Sequence, residues 1–202
     1  MIKVGPLITT PKAIMTKDFT LIINKSPYTL PTDFQKYSRS GKLRVLYRRF
    51  IRLRPFISRR AMIRGSYTNY IRHKFHENYE LKRDIVLKSS GGKRMHDLSD
   101  IEMGCRTLTF VQKAVSHVDG EGEDGIHGAL AHDNLICKRI LKNLLTIEFH
   151  RERLEFRNAV AYRYLRLTFE YLDPTYRNLK YASLRHADTS IIHLNELLGT
   201  RL

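Results

Sequence analysis

Between Lys42 and Arg64 the chain carries nine Lys or Arg and not one Asp or Glu. Threaded through the basic residues, Leu43, Leu46, Tyr47, Phe50 and Leu53 recur at three- and four-residue steps, which gathers them into one apolar stripe on a helix. This segment constrains the fold most, because it can bury its apolar residues only as a helix whose remaining surface is arginine. The spacing predicts a helix over 43–54, ended or kinked near Arg54 by Pro55, which lacks a backbone donor and pushes the preceding residue out of the helical region. An uncompensated like-charge cluster repels itself, and an acidic partner would relieve that repulsion.

The charge is local. The 202 residues hold 36 Lys plus Arg against 20 Asp plus Glu, a formal +16. Residues 1–41 contribute 6 basic and 2 acidic side chains, residues 42–94 contribute 16 and 3, and residues 95–202 contribute 14 and 15. No apolar run reaches the ~20 residues of a membrane span, and the N-terminus lacks the apolar stretch of a secretory signal. These features predict a chain that neither spans a membrane nor is secreted, with Cys105 and Cys137 as reduced thiols.

Further helices follow from periodicity. Residues 1–41, broken by Gly5, Pro6, Pro11, Pro27, Pro31 and Gly41, read as an extended arm, with one strand signal at Thr20–Ile23. A second helix is expected from about Ser58 to Leu87, broken by Ser89-Ser90-Gly91-Gly92. A third is expected over 98–117, and a long or bent one over 130–172, stopped by Asp173-Pro174. A short one over 189–198 should end at Gly199. The expected fold is all-α, an antiparallel helical bundle: a 1–41 arm, then one helical domain over 42–202 with an acidic loop near 119–125.

Catalytic and metal chemistry find no constellation. His117, Asp119, His127 and His132 match no ligand spacing. A calcium loop read from Asp119 fails at its sixth and twelfth positions, Asp124 and Leu130. Ser89–Lys93 lacks the spacing of a phosphate-binding loop and follows a helix rather than a strand. Both cysteines fall on apolar helix faces, where inert thiols are expected. A non-enzymatic protein without catalytic residues, metal or cofactor is the expectation.

Leu46-Tyr47-Arg48 opens the basic helix, and Ile71-Arg72-His73-Lys74-Phe75-His76-Glu77-Asn78 lies downstream, with Phe75 28 residues after Tyr47. This combination resembles the LYR-motif family of small mitochondrial helical proteins. The resemblance implies LYR-like first helices and binding of the acyl form of mitochondrial acyl carrier protein. Arg48, Arg49 and Arg52 would then pair with its carboxylates. Leu46, Phe50, Ile71 and Phe75 would line a groove for its acyl chain, each buried methylene contributing about 0.8 kcal/mol. Acyl-phosphopantetheine would be present only as carried by that partner. The alternative for Leu46, Phe50 and Phe75 is plain core packing.

A wider resemblance runs through Ile8–Ile14, Tyr28-Thr-Leu-Pro31, Phe34-Gln-Lys36, Tyr47–Ser58, Glu77–Arg83, Arg106–Phe110, Ile140–Thr146 and Leu194–Leu202. These strings are similar to the fungal family of increased recombination centers protein 19. That resemblance implies a non-enzymatic protein of the mitochondrial matrix, needed for mitochondrial DNA maintenance and respiratory growth and linked to genome integrity and sporulation. It carries over no site residues. Two molecular readings follow: an LYR-type adaptor or assembly factor docking an acidic protein, or a nucleic-acid- or mitoribosome-associated protein gripping phosphate backbones. The basic-face residues Arg48, Arg49, Arg52, Arg59, Arg60 and Arg72, with Tyr47, serve either.

Overall fold

The computed structural model describes residues 8–10, 13–15, 20–22, 27–58, 60–115, 125–157, 159–176 and 181–202. The fold class is all-α. Among the described residues, seven α-helices run in the order α1 (Arg39–Ile57), α2 (Ala61–His76), α3 (Tyr79–Ser90), α4 (Asp100–Val115), α5 (Gly125–Arg157), α6 (Ala159–Thr168) and α7 (Ala182–Leu198). Ahead of them, β1 (Ile8–Thr10), β2 (Ala13–Met15) and β3 (Thr20–Ile22) pair antiparallel in the order β1-β2-β3. The expected arm therefore includes a small three-stranded meander within 8–22, where the sequence signals a strand only at Thr20–Ile23. Strands of three residues are too short for apolar alternation to announce them.

Residue contacts divide the chain into two compact units, Met1–Thr68 with Leu108–Leu145, and Asn69–Thr107 with Thr146–Leu202. The helices α2, α4 and α5 each contribute to both.

In the first unit, α1 starts four residues ahead of its apolar stripe, because the Ser38 hydroxyl accepts from the Gly41 N–H and caps the free first turn. It also runs through Pro55 to Ile57 rather than stopping at Arg54. A proline two residues from the helix end forfeits one hydrogen bond, in the last turn only. Leu46, Phe50 and Leu53 of α1 are buried, as are Tyr67 of α2, Leu108, Val111 and Val115 of α4, and Leu141, Leu144 and Leu145 of α5. The Tyr67 hydroxyl satisfies itself within this apolar interior by donating to the Phe50 carbonyl at 2.9 Å. The segment before α1 is tied down by Gln112, which donates to the Tyr28 carbonyl at 2.7 Å, and by the Tyr28 ring packed edge-on against Phe56.

In the second unit, the single helix expected over 58–87 is two, α2 and α3. The Asn78 side chain accepts from the Leu81 N–H and starts α3 afresh, as asparagine does best outside a helix interior. Gly91 ends α3 in the left-handed region. Ser99 and Glu102 form a reciprocal capping box ahead of α4, which matches the helix expected over 98–117. The run expected over 130–172 starts earlier, at Gly125, and is α5, α6 and a final 3-10 turn at Glu170–Leu172. Phe169, left-handed at φ 57°, closes α6. The last helix starts at Ala182 instead of Thr189, and Gly199 ends it as expected, left-handed with its N–H on the Asn195 carbonyl. Of the acidic loop expected near 119–125, residues 119–124 lie outside the described residues, and Gly125 begins α5. The core is Tyr79, Val86, Leu87, Met103, Leu165, Phe169, Tyr171, Leu172, Tyr181, Leu184 and Ile192.

Among the described residues no helix is long and apolar enough to cross a membrane. No group of three His, Cys, Asp or Glu among them could hold a metal ion.

Candidate functional site

The apolar stripe of α1 turns Leu46 and Phe50 inward, and a row of arginines occupies the opposite side. Arg44, Arg48 and Arg52 are exposed, four residues apart and hence about 6 Å apart along the helix axis. Arg44 and Arg48 make no hydrogen bond or ion pair with any described residue. Arg60 is exposed just before α2, and Arg54 donates from Nε to the Arg64 carbonyl at 3.3 Å. Arg59 lies outside the described residues.

Two arginines of this face converge. Arg49 and Arg52 each donate an Nη1 hydrogen to the same acceptor, the carbonyl oxygen of Pro27, Arg52 from 3.1 Å. Partial burial pulls the Arg49 guanidinium below the ordinary arginine range, and the neighbouring positive charge of Arg52 adds to this. A neutral oxygen is thus shared by two like charges.

The remaining sequence candidates are distributed as follows. Tyr47 is half-buried on α1. Leu46 and Phe50 are only 1% and 3% exposed, inside the first unit's own core. Ile71 is buried, Arg72 exposed and Phe75 half-buried on the part of α2 that belongs to the second unit. Leu46 and Phe50 are therefore occupied by the protein's own packing and line no open groove in this state. Of the metal-like group, His132 is exposed, and His117 and Asp119 lie outside the described residues. Cys105 and Cys137 are free thiols, and burial pushes the Cys137 thiol up, which lowers its reactivity.

The second unit holds charged residues that sequence reasoning missed. Lys82, almost wholly buried, bridges Glu77 at 2.8 Å and Asp188 at 3.0 Å. Asp188 also accepts from Arg151 and from the Tyr171 hydroxyl. Lys74 approaches Glu77 at 3.1 Å, and Arg166 pairs with Glu148 at 2.8 Å. Arg83 grips Glu196 through Nε and Nη2, and Glu196 accepts the Met95 N–H as well. Burial alone would raise the Asp188 carboxyl, but Arg151, Lys82 and Tyr171 outweigh it and hold the group well below the usual carboxylate range. Glu77 behaves alike: burial raises it, and Lys74 and Lys82 bring it far down. Lys74 goes the other way, pulled to about 8 by burial that Glu77 only partly offsets. The signal was present in the sequence. Lys82 and Arg83 sit on the same stripe as Tyr79, Val86 and Leu87, and Asp188 on that of Leu184, Ile191 and Ile192, so charges occupied core positions.

Arg201 completes this unit. Its Nη2 donates to the carbonyls of Lys74 and Glu77 at 3.1 and 2.8 Å, closing the end of α2. Its Nη1 reaches Asp100 at 3.2 Å, and its guanidinium lies 5.1 Å from the Tyr79 ring centroid. These buried ions are linked to one another and to helix ends, which is an architectural arrangement. Arg44, Arg48 and Arg52 of α1, by contrast, are exposed.

A family model described as increased recombination centres protein 19 matches residues 8–202. A protein of that name from Eremothecium gossypii is 52% identical over 198 residues, 98% of this chain and 90% of the relative. A namesake from Saccharomyces cerevisiae is 37% identical over 225 residues, covering 96% of this chain and 97% of its own length. One from Vanderwaltozyma polyspora is 37% identical over 204 residues, 96% of each chain. No solved structure matches. With the match running from the meander through the basic α1 to Leu202, the chain belongs to the increased recombination centres protein 19 family.

Proposed function

We propose that this protein acts in the mitochondrial matrix as a non-enzymatic binding protein, and that it supports mitochondrial DNA maintenance and respiratory growth and contributes to genome integrity and sporulation. The name carried by its relatives is consistent with a role in genome maintenance. The molecular act we assign is binding of phosphate backbones through the outer face of α1. The observation that carries it is the row Arg44, Arg48, Arg52, exposed at regular spacing, with Arg44 and Arg48 lacking any partner among the described residues. Such a row suits a polyanion and reads no base edge, so binding is insensitive to sequence and steeply sensitive to salt. Reversing Arg44, Arg48 and Arg52 to Glu should abolish binding of the purified protein to single-stranded DNA and RNA while its thermal unfolding stays intact. Undiminished binding by the folded triple variant rejects the reading.

A second reading keeps the LYR-type adaptor or assembly factor. It is favoured by the placement of Leu46-Tyr47-Arg48 on α1, with the leucine inward and the arginine outward. Acyl carrier protein would then dock its carboxylates on Arg48 and its neighbours, and bring its own acyl-phosphopantetheine. This version requires Leu46 and Phe50 to give up their core positions to an acyl chain. Affinity purification from mitochondria with Tyr47→Ala and Arg48→Ala separates the two: loss of acyl carrier protein with retained nucleic-acid binding supports the adaptor.

A further inference from the structure

We propose that Arg49 and Arg52 form a phosphate clamp whose place is held, in the free protein, by the Pro27 carbonyl. The inference rests on the phosphate-backbone reading above and deepens it by naming the anchoring pair. Two guanidinium groups repel each other unless an anion lies between them. Here both donate to a single neutral oxygen, which satisfies hydrogen bonds and cancels no charge. A single anionic group can accept from two donors at once, as Asp188 does from Lys82 and Arg151, and a strand that repeats such a group at regular spacing suits a pair continuous with a basic row. The clamp is also continuous with an open row, since Arg52 stands one step beyond Arg48 and Arg44. A phosphodiester strand would thus be gripped at the clamp and followed along α1. Seating it requires the Pro27 carbonyl to withdraw, so ligand binding should loosen the start of the 27–37 segment. The segment keeps its other ties, through Gln112 to Tyr28 and through Lys42 to Gln35.

The test measures binding of a fluorescent 20-nucleotide oligothymidylate across a salt series, and of pyrophosphate by thermal shift. The proteins are the full chain, Arg49→Gln/Arg52→Gln, Arg49→Lys/Arg52→Lys and Arg44→Gln/Arg48→Gln. Glutamine and lysine both retain donors for Pro27, and unfolding curves verify that each variant is folded. Loss of two single-strand phosphate contacts should reduce the salt slope by about 1.4 in the glutamine clamp variant, with oligonucleotide affinity down about tenfold or more. The lysine variant should keep the slope and lose affinity, because it preserves charge without the fork. Pyrophosphate stabilisation should vanish in the glutamine clamp variant and persist in Arg44→Gln/Arg48→Gln. Equal oligonucleotide and pyrophosphate binding by the wild type and the glutamine clamp variant overturns the clamp and leaves the backbone reading standing. Wild-type protein that binds pyrophosphate through Arg49 and Arg52 but no oligonucleotide overturns the backbone reading and supports the clamp with another phosphate source. Binding of neither probe by the wild type overturns both.

Discussion

The two units use the same side chains in opposite ways. The first holds 19 Lys plus Arg against 7 Asp plus Glu. Its core is aliphatic and aromatic, while Arg44, Arg48 and Arg52 stand in solvent. The second holds 17 against 13 and puts Lys74, Lys82, Arg83 and Arg151 inside, paired with Glu77, Asp188 and Glu196. Residue type therefore says little about role. An exposed ion pair is worth ~1 kcal/mol or less, so the exposed charges of Arg44, Arg48 and Arg52 contribute little to stability. A buried ion whose counterion is removed loses several kcal/mol, which accounts for a linked interior network on architectural grounds alone.

The largest expected effect breaks the network at its hub. Asp188→Leu leaves Lys82 and Arg151 buried without the carboxylate they share, and should destabilise the protein by about 3–5 kcal/mol in urea unfolding. Arg44→Gln with Arg48→Gln should shift the same midpoint by about 0.5 kcal/mol or less. Comparable losses in the two would erase the distinction between the units.

Next in size is Arg201→Ala, which opens the two carbonyls closing α2 and the contact with Asp100. We expect a loss of about 1.5–3 kcal/mol, seen as a lower thermal midpoint. In the first unit, Tyr67→Phe removes one buried hydrogen bond to the Phe50 carbonyl and should cost about 1 kcal/mol by urea unfolding.

The pH dependence is the effect most specific to the second unit. Lys74 has a folded pKa near 8 against an ordinary 10.5, so between these values the unfolded chain binds more protons than the native one. Stability from this group therefore rises as pH climbs from about 8 to about 10.5, and the rise should disappear in Lys74→Met. Glu77 and Asp188 act at the other end of the scale. Their carboxyls are depressed in the fold, so their contribution is complete above the ordinary carboxylate range and is lost as pH falls through the folded values. Urea midpoints across pH 2 to 10 check both limbs; a flat alkaline limb in the wild type would falsify the Lys74 assignment.

Legible in the residues alone were the helical class, the basic amphipathic α1, α4 within two residues at each end, and the stops at Ser89–Gly92 and Gly199. Periodicity, caps and glycine are local properties, and local energies enforce them. The sequence also marked Arg48, Arg49 and Arg52 as belonging to one charged face. It did not separate α2 from α3, because the decisive residue, Asn78, works through a single side-chain hydrogen bond to Leu81 within an apolar pattern that continues unbroken. Nor did it pair Arg49 with Arg52 on Pro27, 22 and 25 residues away, or bring Lys82 to Asp188 across 106 residues. Long-range partners leave no periodic trace, and whether a charge on an apolar stripe is buried depends on whether the fold supplies its counterion. The second unit supplies those counterions to Lys82 and Arg151, a matter settled by packing across the chain and not by local pattern.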